Sequence, residues 1–186
     1  MRTAGEEFSM ALDLLGAKPI WKDTTERVSG FEIIPIALLD RPRVDVTLRV
    51  SGLFRDIFPT LTTLYNQIIE SLAKREECEE WNPYIKSKNT SRVFGPKPGT
   101  YGLNNDFDIY NSAEDKNTDI AESWIESSSW TINGNKVQYG KDLIKNLLIK
   151  SKGFVHFQDL KESDILLNSD HAKHYGGFNK AKTSLG

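Results

Sequence analysis

The chain has 186 residues, with 24 basic and 26 acidic side chains and a formal net charge of −2. That length buries one sizeable core, and the balanced charge removes the electrostatic case for a nucleic-acid partner. No apolar run approaches a membrane span, and the charged start Met1-Arg2-Thr3-Ala4-Gly5-Glu6-Glu7 lacks the apolar core of a signal peptide.

The single cysteine, Cys78, lies in Glu76-Glu77-Cys78-Glu79-Glu80. It has no second cysteine to pair with, and the acidic neighbours disfavour a thiolate. These features predict a soluble cytoplasmic protein that neither enters a membrane nor binds nucleic acid.

Along the chain, Phe8, Ala11, Leu12 and Leu15 recur at helical spacing, predicting a helix over Glu6–Leu15 that Gly16 stops. Lys18–Trp21 and Gly30–Ile36 read as extended segments around a polar turn, a candidate hairpin. In Arg41–Pro59, Val44, Val46, Leu48 and Val50 fall on one face of a predicted strand. Asp45, Thr47, Arg49 and Ser51 fall on the other. Gly52 breaks this strand, and Arg55-Asp56 follow its exit.

Leu61, Leu64, Tyr65, Ile68, Ile69 and Leu72 then trace one helical stripe, with Pro59 in the first turn and Asp56 as the expected cap. The charge run Lys74–Glu80 reads as a solvated face. Ser91–Phe94 reads as a short strand that runs into Gly95–Gly102, and an irregular, Asn/Asp/Ser-rich stretch follows from about 103 to 119. Ile120–Trp130 is expected to be helical. Leu143, Ile144, Leu147 and Leu148 mark another helix, capped by Gly153 and with Lys150 and Lys152 near its negative end. A strand over Phe154–Gln158 and a polar helical tail complete the reading.

This alternation predicts an α/β fold, a mostly parallel sheet with flanking helices. In such sheets ligands bind outside the carboxyl ends of the strands. Gly52–Asp56, Gly95–Gly102 and Asp159–Asp164 all occupy that kind of position, so parallel neighbours would bring the three loops to one edge.

Arg43, Arg49 and Arg55 suit two roles. Each guanidinium can grip a ligand carboxylate with paired hydrogen bonds, or pair with Asp45 and Asp56 to hold strand and loop together. Gly95–Gly102 reads as a rigid turn and lacks the pattern of a nucleotide phosphate loop. His156, followed by Asp159, Glu162 and Asp164, combines imidazole with carboxylates, a set suited to a divalent metal or to accepting protons. The competing reading is a core histidine followed by a helix cap. Asp170-His171-x-x-His174 has metal-binding spacing that surface histidines explain equally well.

In order, these segments resemble the large subunit of aerobic cobaltochelatase, in the family that includes the porphyrin-binding large subunit of magnesium chelatase. Arg41–Pro59 is the strongest part, matching the family's RPRxDVTLRxSGxFRDxFP pattern. Met1–Glu7, Gly16–Trp21, Gly30–Pro35, Arg92–Gly95, Pro98–Gly102, Asp119–Glu122 and Gln158–Leu166 add to it, with Ser169-Asp170 and Gly176-Gly177. The wording is closer to the cobalt branch than to the magnesium branch. Phe157 and His174-Tyr175 depart from the pattern.

The resemblance implies that residues 1–186 form one internal segment of a much longer large subunit, a partial domain. It implies a tetrapyrrole substrate, hydrogenobyrinic acid a,c-diamide, into which cobalt is inserted during cobalamin synthesis. The expected partners are the remaining large-subunit polypeptide and separate AAA+ and integrin-like subunits, which use ATP that this chain does not bind. Arg43, Arg49 and Arg55 are expected to position the substrate. His156, Asp159, Glu162 and Asp164 are expected to deliver metal or accept protons, with His156 and Asp159 as metal ligands. Alone, such a segment would be inactive. The alternatives are a non-catalytic interaction module or remnant that keeps the fold, and a magnesium-chelatase-type porphyrin-binding segment.

Overall fold

In the computed structural model, residues 5–22, 27–101, 117–157 and 172–186 are described. Helix α1 (Glu6–Leu15) starts with two carboxylates in its first turn, where the helix dipole favours them, and buries Ala11, Leu12 and Leu15. It ends at Gly16, as the sequence predicts. Strands β1 (Ala17–Lys22) and β2 (Arg27–Ile33) form an antiparallel ribbon, with a register shift between Ile20 and Trp21. A 3₁₀ turn at Ile36–Leu38 replaces the expected end of the second extended segment.

The predicted strand at Val44–Val50 shrinks to β3, Leu48–Arg49. Upstream, the backbone finds partners outside a ladder. The Val44 N–H donates to Leu14 O, and the Val46 N–H donates to the Tyr84 hydroxyl at 2.9 Å. That hydroxyl donates to Val44 O, and the Tyr65 hydroxyl donates to Val46 O. Two tyrosines from distant segments thus do what a neighbouring strand would do. The apolar period partly survives: Val46, Leu48 and Val50 pack in the first core cluster, while Val44 is exposed.

Helix α2 (Gly52–Ile57) follows at once, capped by the Ser51 hydroxyl, which accepts from the Phe54 N–H at 3.1 Å. Asp56 lies inside α2 and caps nothing. Helix α3 (Pro59–Ala73) instead starts after Phe58, with no side-chain cap and with Pro59 in the first turn. Its buried face carries Leu64, Tyr65, Ile68, Ile69 and Leu72, as the stripe predicts.

Strand β4 (Val93–Gly95) pairs with β3 in parallel, Leu48 opposite Val93 and Arg49 opposite Phe94. Helix α4 (Asn117–Glu126) ends four residues before Trp130, which opens β5 (Trp130–Asn133). β5 runs antiparallel to β4 and to β6 (Lys136–Tyr139), giving the order β3-β4-β5-β6. The α/β fold with flanking helices is therefore present, but its sheet is mixed, and among the described residues only the β3–β4 pairing is parallel. The reason lies in the two-residue turn between β5 and β6, where Gly134 takes φ 60°. Such turns join antiparallel strands by geometry.

Helix α5 (Lys141–Lys150) closes at Ser151 rather than Gly153. Residues 151–157 form no strand, and Gln158 lies outside the described residues. A π turn at Ala172–Gly176 leads into α6 (Gly177–Ser184). Beside the first cluster, which gathers α1, α3 and the sheet, a second one packs Phe94 with α4, α5 and α6 through Trp124, Ile125, Ile144, Leu148 and Ala181.

Candidate functional site

The parallel pair β3–β4 brings two of the three expected exit loops together. A Cβ on Gly52 would stand 2.2 Å from the Thr100 carbonyl oxygen, so the start of α2 and the turn after β4 touch through backbone. Arg55, buried at the base of α2, donates from Nη1 to Pro96 O at 2.9 Å and to Lys97 O at 3.1 Å. Its Nε and Nη2 grip the Asp56 carboxylate at 2.6 and 3.1 Å, and the Tyr101 hydroxyl donates to the same carboxylate at 2.8 Å. The bonds from Arg55, then from Tyr101, hold the Asp56 carboxyl below its usual range. The third loop, with Asp159, Glu162 and Asp164, lies outside the described residues.

Arg43 is deeply committed inside the protein. Nε and Nη2 clasp Glu77 at 2.8 and 2.9 Å, Nη1 donates to Leu15 O and Gly16 O, and Nη2 also reaches Ile34 O at 2.7 Å. All five N–H groups are used, and the side chain has no exposed surface. Glu77 also accepts from Arg75 and Asn82, and the bond from Arg43 leads in holding its carboxyl below the usual range. The expected solvated face at Lys74–Glu80 is thus corrected at Glu77, whose side chain is buried. Asp45 pairs with Arg92, at 2.7 and 3.1 Å, rather than with an arginine of its own segment.

Arg49 differs from both neighbours. Its Nε reaches the Ser128 hydroxyl at 3.4 Å, a long contact, and its Nη2 is buried without a hydrogen-bond partner among the described residues. The ion pairs formed by Arg41, Arg43, Arg55, Arg75 and Arg92 all exclude it. Burial pulls its pKa down to about 10. A buried guanidinium donor without a partner costs stability. Arg49 is the last residue of β3, opposite Phe94 of the parallel strand β4.

His156 lies against α1. Its Nδ1 stands 3.5 Å from Glu7 Oε1, and that same oxygen accepts a 2.8 Å bond from the Phe157 N–H. The His174 ring centroid lies 5.2 Å from that of His156. Phe8, next to Glu7, contacts the ring of Phe54 on α2. Among the described residues, no group of three or more His, Cys, Asp or Glu side chains is arranged to hold a metal. A polar groove of about 450 Å³ lies elsewhere, over β5, β6 and the start of α5, and no expected site residue lines it.

Glu7 and Tyr101 lie in segments that carry the family resemblance but were given no role of their own, and Ser128 had no sequence signal. Ser128 is 79 residues from its partner.

The model of the CobN/Magnesium Chelatase family matches residues 1–186. Aerobic cobaltochelatase subunit CobN of Pseudomonas aeruginosa is 34% identical over 206 aligned residues, covering all of this chain and 16% of its own. A magnesium-chelatase subunit of Chlorobaculum parvum is 30% identical over 179 residues, covering 89% of this chain and 14% of its own. Among solved structures, the catalytic subunit of cobaltochelatase from Mycobacterium tuberculosis superposes with a TM-score of 0.85 at 28% identity, over 100% of this chain and 17% of that one. The chain thus spans about a sixth of the length of the curated relatives it matches.

Proposed function

The chain belongs to the CobN/magnesium chelatase family, and from that membership we propose that it supplies one wall of a tetrapyrrole site in a chelatase large subunit. The observation that carries this reading is Arg49, a buried guanidinium with an open donor near the exits of two parallel strands. A tetrapyrrole precursor edged with carboxylates and amides is an anion of the right kind for such a donor. Arg43 and Arg55, whose donors are used within the chain, act on the substrate through the loops that they hold in place.

The substrate is hydrogenobyrinic acid a,c-diamide and the inserted metal is cobalt, within cobalamin synthesis. The higher identity to the cobaltochelatase relatives, 34% and 35% against 30% for the magnesium-chelatase relative, supports the cobalt branch. Insertion strips water from the metal and displaces the inner N–H proton of the corrin ring, tasks for imidazole and carboxylate. His156, with Asp159, Glu162 and Asp164, takes that role in metal delivery and proton acceptance, with His156 and Asp159 as ligands for the metal in transit. Separate AAA+ and integrin-like subunits couple ATP hydrolysis to the step, the assembly is cytoplasmic, and residues 1–186 alone are inactive.

A segment exchange tests the proposal. The matching sixth of the Pseudomonas aeruginosa protein is replaced by residues 1–186, and cobalt insertion is followed by absorbance in the full assembly. Insertion retained at a comparable rate is the expected result. A hybrid that folds, assembles and fails to bind the tetrapyrrole contradicts the reading.

A further inference from the structure

A neutral imidazole carries its proton on one ring nitrogen, and that choice decides which nitrogen offers a lone pair. Glu7 faces the Nδ1 edge of His156: Oε1 lies 3.5 Å from Nδ1 and accepts the Phe157 N–H at 2.8 Å. The second bond ties the carboxylate to the peptide that follows His156. The 3.5 Å separation is long for a hydrogen bond, of the kind that often tightens when a ligand arrives.

We propose that Glu7 is a positioning residue for His156, holding the proton on Nδ1 so that the lone pair stands on Nε2. This rests on the chelatase reading, in which His156 meets the metal or the departing pyrrole proton. Carboxylate–histidine pairs of this type set ring orientation and ligand basicity at metal centres. His174, from the turn before α6, sets a second imidazole beside the pair, its ring centroid 5.2 Å from that of His156.

Long-range ¹H–¹⁵N correlation on the full 186-residue chain, labelled at its three histidines, reads the tautomer directly above pH ~8. His156→Asn assigns the signal. The Nδ1–H form is expected to dominate in the parent chain, with its ratio to the Nε2–H form falling roughly tenfold in Glu7→Gln, the factor that a charge-assisted hydrogen bond carries. Gln keeps an oxygen for the Phe157 N–H, so the fold is spared. A dominant Nε2–H form in the parent, or an unchanged ratio in Glu7→Gln, overturns the proposal. Neither result depends on tetrapyrrole binding, so failure of the segment exchange with the expected tautomer would refute the chelatase reading and leave the pair intact.

Discussion

Replacing Arg49 with methionine should make the chain more stable, which is unusual for a substitution in a sheet. The guanidinium has one long contact, to Ser128, and a buried Nη2 with no partner among the described residues. Its pKa is pulled down to about 10 by burial alone, which bounds the cost of its charge at roughly 3 kcal/mol. The residue keeps partial exposure, so solvent screens some of that cost, leaving about 1–2 kcal/mol. Methionine retains the packing of the aliphatic stem, and losing the Ser128 contact subtracts about 0.5 kcal/mol.

Urea unfolding with linear extrapolation should therefore place Arg49→Met about 0.5–1.5 kcal/mol above the parent at neutral pH. The sign with pH follows from a cation whose folded pKa is depressed. The cost is present below about pH 10, and the parent recovers stability as pH rises through 10, so the gap narrows there. A loss of about 1 kcal/mol or more in the variant would show that the guanidinium has a partner and would refute the reasoning.

Other perturbations follow from the same contacts. Glu77→Ala leaves the Arg43 charge buried without its carboxylate and should cost about 3–5 kcal/mol in urea unfolding. Because the Glu77 carboxyl is held below its usual range, first by Arg43, its contribution is present above the unfolded value and is lost as pH falls through the folded one. Unfolding curves for Glu77→Gln should accordingly show a shallower loss of stability between pH ~5 and ~3 than the parent. Gly52→Ala drives a methyl into the Thr100 carbonyl and should cost about 1–3 kcal/mol, with faster amide exchange in Pro96–Tyr101.

What the sequence revealed follows from how local each determinant is. The stripe of α3, the ends of α1 and the β1–β2 ribbon rest on short-range periodicity and a glycine stop, and all three stand in the structure. The strand at Val44–Val50 failed because its partners are the hydroxyls of Tyr65 and Tyr84, which no two-residue period can announce. The β5–β6 hairpin turns at Gly134-Asn135, a stretch to which the sequence reading assigned no element, and the expected helix overlapped its first strand only at Trp130. Among the arginines, residue type and spacing were alike. Only the fold separates Arg43, saturated by Glu77 and three carbonyls, from Arg49, left open. The match to the family motif at Arg41–Pro59 identified the family where local physics could not.

The most direct test of the account is an absorbance titration of hydrogenobyrinic acid a,c-diamide into a large-subunit polypeptide that contains this segment, with Arg49 intact and as Arg49→Met. If Arg49 holds a carboxylate of the substrate, the dissociation constant rises by roughly 30-fold or more in the variant, the scale of removing one partner of a desolvated charge pair. Equal affinity for parent and variant, with both folded, would contradict the claim that this buried guanidinium is part of the substrate site.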